Sequence, residues 1–215
     1  MRFFATIIRT FIISLFVLSS STAWAIPMQY TIDTSALSGT NAFLAFDFID
    51  GGTPSNTVTV SSFATDGTLG SEQILGDVSG TLPSDVILGD ASFFNEYLQE
   101  ILLGSQISFI LDDTGNTADA SSFPDGLSFF LLDQGTNLPL VSTDDPTGAG
   151  ALFLLSVGEQ NGLSVYSGDG FRVSARPLNQ GTVPEPNSVL LILTALTMIG
   201  VVTVWRKRHN GFKSI

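Results

Sequence analysis

Gln106-Ile107-Ser108-Phe109-Ile110-Leu111 (QISFIL) places Ile107, Phe109 and Leu111 at every second position. That period of two is the period of a β-strand with one buried face. Residues 127–132 (LSFFLL), which follow the turn pair Asp125-Gly126, are apolar almost without a break, as expected of a central, well-covered strand. Residues 42–49 (AFLAFDFI) repeat the theme with one interruption, Asp47, and end in Asp50-Gly51-Gly52. Shorter runs carry the same signature: Tyr30 and Ile32, Val58 and Val60 in TVTVSS, residues 78–82 and 86–88 on either side of Pro83. Near the end, residues 151–157 (ALFLLSV), 163–166 and 171–175 are separated by Asn161-Gly162 and Gly168-Asp169-Gly170, and read as an antiparallel meander. Roughly nine to eleven short strands with frequent turn signals predict an all-β, antiparallel β-sandwich of jelly-roll-like type. One segment fits two descriptions. Phe93, Phe94, Tyr97, Leu98, Ile101 and Leu102 match helical spacing with Asn95, Glu96, Gln99 and Glu100 opposite, and the same stretch also fits a strand leading into residues 107–111.

The 215-residue chain has Lys+Arg 8, Asp+Glu 20, one histidine and no cysteine. The absence of cysteine excludes disulfides, thiol catalysis and thiolate metal sites. The sole histidine, His209, stands six residues from the C-terminus, so serine–histidine catalysis and ordinary zinc sites are not expected in the body of the chain.

Both ends read as addresses. Arg2 and Arg9 flank the start of a short apolar stretch, residues 11–18 (FIISLFVL), followed by small polar residues and Ala23-Trp24-Ala25. This is the layout of a secretory signal helix over 1–25, with cleavage specified by Ala23 and Ala25 and signal peptidase as the partner. Residues 189–205 (VLLILTALTMIGVVTVW) are seventeen residues without charge, about 25 Å as a helix, which predicts a single transmembrane helix. Arg206-Lys207-Arg208 follow at once and place residues 206–215 as a basic cytoplasmic tail, with the domain on the outer side of the membrane. Between body and helix, residues 176–188 form a linker containing Val183-Pro184-Glu185-Pro186, in which two prolines remove amide donors and extend the backbone around the glutamate.

Pro184-Glu185-Pro186, a short apolar helix and the Arg206-Lys207-Arg208 cluster, in that order behind a signal peptide, resemble the PEP-CTERM sorting signal of Gram-negative bacteria. The resemblance covers residues 183–208. It implies recognition of the tail by an exosortase, a membrane cysteine protease or transpeptidase, and association with exopolysaccharide and biofilm. It implies a protein held in the inner membrane with its domain in the periplasm, then passed to the cell envelope or extracellular matrix. Segments of the body, Ile32-Asp33-Thr34-Ser35, residues 44–51 (LAFDFIDG), 129–133 (FFLLD) and 143–148 (TDDPTG), also resemble a recurrent group of PEP-CTERM proteins, a resemblance that brings no activity with it.

The expected β-sandwich domain spans 26–175. Between residues 26 and 183 nineteen acids face two bases, Arg172 and Arg176, a balance of −17. Such a surface repels phosphates, so no nucleic-acid partner is expected. No cofactor is required by the sequence, with calcium left open. The loop Asp112-Asp113-Thr114-Gly115-Asn116-Thr117-Ala118-Asp119 offers Asp112, Asp113 and Asp119 as calcium ligands, and Asp144-Asp145 offers a second set; the alternative is ordinary aspartate turn chemistry. Paired carboxylates for glycoside hydrolysis can be drawn from Asp112, Asp113, Glu96, Glu100 and Asp133 in many combinations, so the signal carries little information. For carbohydrate binding, Tyr30, Tyr97 and Tyr166 are the amphipathic rings left in the body, because Trp24 and Trp205 belong to the ends and the twelve phenylalanines sit mostly in core-like runs. A structural envelope or matrix role is the leading expectation, a carbohydrate-binding module the alternative, and an enzyme the least favoured.

Overall fold

A computed structural model describes residues 27–52, 55–116, 122–159, 162–166, 168 and 171–178. The expected signal helix, transmembrane helix and sorting residues lie outside these. The chain divides into two compact units, Met1–Leu178 and Asn179–Ile215, and every described residue belongs to the first. None of the described helices is long and apolar enough to cross a membrane.

The described residues are all-β apart from a 3-10 turn at Ser35–Leu37. The strands are β1 (Met28–Asp33), β2 (Asn41–Ile49), β3 (Thr57–Thr65), β4 (Thr68–Leu75), β5 (Val78–Gly80), β6 (Val86–Gly89), β7 (Phe94–Leu102), β8 (Gln106–Asp113), β9 (Gly126–Asp133), β10 (Phe153–Ser156), β11 (Leu163–Val165) and β12 (Arg172–Pro177). They form two six-stranded sheets, β12-β1-β8-β3-β6-β5 and β11-β10-β9-β2-β7-β4, and every pairing is antiparallel.

The alternation read in QISFIL holds: Ile107, Phe109 and Leu111 are buried and their neighbours face outward. Inward residues of the first sheet meet those of the second through a cluster of rings. Tyr30 stacks on Phe153 at 4.4 Å between ring centres, and Phe46 meets Phe109 edge-on at 5.2 Å. Phe129 joins them, 4.7 Å from Phe46 and 5.4 Å from Phe109. These offset and tilted arrangements are the favourable ones for aromatic quadrupoles, and with Ile32, Leu44, Leu88 and Leu127 they make one continuous core between the sheets.

The two-way segment resolves as strand β7, because its helical spacing coincides with a stricter alternation of Asn95, Tyr97, Gln99 and Ile101 inward. Nine-residue β2 supplies the partner along its whole length, from Asn41 opposite Leu102 to Ile49 opposite Phe94. The polar inward residues are satisfied locally: Tyr97 Oη donates to Gln99 Oε1 at 2.9 Å and accepts from the Leu82 amide at 2.9 Å.

The expected three-strand meander is corrected. β10 and β11 pair as a hairpin, but the third run leaves them and pairs with β1 in the other sheet, where its strand continues to Pro177. Gly168 makes the crossing, bridging Thr143 and Phe171, and β12 covers the side of β1 that β8 leaves unpaired.

Strand β3 shows how a bulge rescues a mismatched pattern. Val58 and Val60 point inward, yet so does Phe63, at odd parity. Ser62, with a positive φ of 51°, absorbs one residue, and the register with β8 shifts between Ser61 and Ala64.

Candidate functional site

Strand register gathers chain segments distant in sequence at one end of the molecule. In the second sheet Ile49 opposes Gly126, so Asp50 and Asp125, the next residues outward, emerge together. In the first sheet Thr57 opposes Gly89, so Asn56 and Asp90 emerge together. The carboxylates of Asp50, Asp90 and Asp125 meet there, one oxygen of each lying within 4.8 Å of the others.

Each acid is held by the fold. Asp125, 3% exposed, accepts from the Gly51 amide at 2.7 Å through Oδ1 and from Asn56 Nδ2 at 2.8 Å through Oδ2. Asp90 Oδ2 accepts from the Asn56 amide at 2.6 Å, and Asp50 Oδ1 from the Gly52 amide at 2.7 Å. Asn56 is equally buried, and its Oδ1 accepts from Thr114 Oγ1 at 2.7 Å and the Asn116 amide at 3.1 Å. The result ties together the ends of β2, β3, β6, β8 and β9. A trio of hard oxygen donors is the donor set that suits calcium rather than a softer metal. The amides around it also account for the geometry in the absence of any ion.

Two phenylalanines flank this cluster. The Phe93 carbonyl accepts from the Asp50 amide at 3.0 Å, and the Phe123 carbonyl lies directly against Gly51. The two residues are 73% and 81% exposed, more than any other large apolar residue among those described. The sequence does not single them out, since its phenylalanines fall mostly in core-like runs. Tyr30 and Tyr97, its aromatic candidates, are fully buried, and Tyr166 is half-buried.

The calcium candidates from the sequence are placed elsewhere. Asp112 and Asp113 are consecutive on β8, so Asp112 faces solvent and Asp113 turns inward; Asp119 lies outside the described residues. Burial pushes the Asp113 carboxyl up, Asp112 adds to the shift, and the Gly115 amide opposes it. Asp145 is buried and bonded by Thr147 through both amide and hydroxyl and by the Ala151 amide, which is turn chemistry. The carboxylates offered for glycoside hydrolysis lie on different elements: Glu96 and Glu100 on β7, Asp112 and Asp113 on β8 of the other sheet, and Asp133 closing the turn after β9 through Thr136. A depression of about 270 Å³ lies elsewhere, lined by Phe63, Ala64, Thr65, Gly67, Leu69 and Pro83, and no carboxylate lines it.

The missed trio carried one weak sequence signal. Asp50 precedes Gly51-Gly52, Asp125 precedes Gly126 and Asp90 follows Gly89, so each aspartate stands beside glycine at a strand end. Comparison with protein-family models, with curated proteins and with solved structures finds no match.

Proposed function

We propose that this chain is an exported, exosortase-sorted protein of the cell envelope or extracellular matrix, in which a jelly-roll-like β-sandwich has a structural rather than catalytic role. The observation that carries the reading is the order of the tail: Pro184-Glu185-Pro186, then the seventeen-residue uncharged apolar run 189–205, then Arg206-Lys207-Arg208. Signal peptidase acts after Ala25, the apolar helix holds the domain at the outer side of the inner membrane, and the exosortase reads the proline-flanked glutamate. An acidic all-β body with a continuous core and no need of disulfides suits a protein that persists outside the cell. The test is Pro184→Ala with Pro186→Ala in the native host. Full-length protein accumulating in the membrane supports the sorting reading; processing at the wild-type rate overturns it.

A second reading, a carbohydrate-binding module, is favoured by Phe93 and Phe123. Two exposed phenylalanines, whose backbone carbonyls lie against Asp50 and Gly51, offer stacking faces, and the carboxylate cluster offers hydroxyl acceptors for a sugar. Retention of the full chain on the host's exopolysaccharide, with calcium or with chelator, and its loss in Phe93→Ala with Phe123→Ala would establish it; equal elution of wild type and variant would dispose of it.

A further inference from the structure

On the outward face of the second sheet, Asp47 of β2 stands directly opposite Glu96 of β7 and, on its other side, Ser128 of β9. The surroundings are apolar. Ala45, the next outward residue on β2, is 1% exposed; Leu98 follows Glu96 on β7 and Phe130 follows Ser128 on β9. No base shares this face among the described residues, whose two arginines, Arg172 and Arg176, both lie on β12 of the other sheet. The groups facing Asp47 are Glu96 from β7 and uncharged Ser128 from β9, and no titratable side chain on β2 adjoins it.

The register sets the two carboxyl groups side by side on neighbouring strands. Ionised carboxylates only accept, so a hydrogen bond between them requires a proton on one of them. Asp47 Oδ1 is buried with no partner, which adds the penalty of an unsatisfied charge if that proton leaves. Like charges directly opposite on neighbouring strands also repel.

We propose that the Asp47 carboxyl carries a proton in the folded protein and donates it in a hydrogen bond to Glu96, and that loss of this proton loosens the pairing of β2 with β7, making Asp47 an alkali-sensitive trigger at the centre of the sheet. Burial first, and Glu96 second, push the Asp47 carboxyl up to about 7. The native state then holds more protons than the unfolded chain between pH about 4 and about 7, so the pair's contribution to stability is complete in acid and is lost as the pH rises through neutrality.

Carboxyl carbon NMR of the full chain should show one aspartate titrating near pH 7 in wild type, with that resonance gone in Asp47→Asn. Between about pH 5 and about pH 8.5 the wild type should lose several degrees of Tm more than Asp47→Asn, which should melt higher than wild type at the alkaline end. Carboxyl resonances that all titrate in the ordinary range, or parallel melting of the two proteins, would overturn the proposal. If Asp47→Asn does not fold, the wild-type titration decides alone.

Discussion

Asn56 and Asp125, 69 residues apart in sequence, are joined side chain to side chain at 2.8 Å, and each is only 3% exposed. Asn56 belongs to the approach to β3 in one sheet and Asp125 to the approach to β9 in the other. Their bond is therefore a polar tie between the sheets at one end of a core that is otherwise apolar. Buried amides and carboxylates that keep their partners contribute modestly, whereas a partner left alone is expensive.

Asn56→Ala should accordingly destabilise the protein by about 2–3 kcal/mol, since it strands Asp125 Oδ2 and removes the acceptor of Thr114 and Asn116. Urea unfolding of wild type and variant measures this through the midpoint at constant slope. A shift below about 0.5 kcal/mol would mean that the tie carries no weight.

Gly51 and Gly126 lie at the same end of the second sheet and should respond differently to alanine. A Cβ at 51 would intrude on the backbone carbonyls of Phe123 and Pro124, which cannot withdraw without moving Asp125. At 126 the nearest atom is Leu154 Cδ1 at 3.6 Å, ordinary contact. Gly51→Ala should cost about 1–3 kcal/mol and Gly126→Ala well under 1 kcal/mol, read as paired thermal melts.

Asp66 is one of the carboxylates that act on the acid side. The Ser105 hydroxyl, then the amides of Ser105 and Gln106, hold its carboxyl down at about 2. A depressed carboxyl stabilises the native state above its ordinary value and loses that contribution as the pH falls from about 4 to about 2. Asp66→Asn should flatten the loss of Tm over that interval and leave the slope above pH about 5 unchanged. Equal slopes for both proteins below pH 4 would count against the assignment. With Asp47 acting in the opposite sense, greatest stability falls in weak acid.

The sequence made the core legible and the site illegible, for physical reasons. Ile107, Phe109 and Leu111 declare their face because solvent lies on the other side of β8, so the code has period two. In β2 the outward Phe43 and Ala45 are buried as well, so period carries no information there; length and the bounding Asp50-Gly51-Gly52 identify the strand instead. Residues 93–102 satisfied two periods at once, and pairing with β2 decided between them. Strand β12 is legible as a strand but its neighbours are not, because partner choice depends on the side of β1 that β8 leaves open and not on the spacing of turns. The Asp50–Asp90–Asp125 cluster depends on two separate registers, Ile49 with Gly126 and Thr57 with Gly89, and no local pattern encodes a register between distant strands.

The first strand of the domain is flanked by β8 and by the last strand, with Met28 opposite Pro177 and the Leu178 amide donating to the Pro27 carbonyl at 2.9 Å. β1 precedes β12 by almost the whole of the described chain, so one side of β1 waits unpaired until the last strand arrives. Because Pro27 and Leu178 meet at one corner, a force drawing them apart would peel β12 from β1 one rung at a time rather than shear the whole sheet.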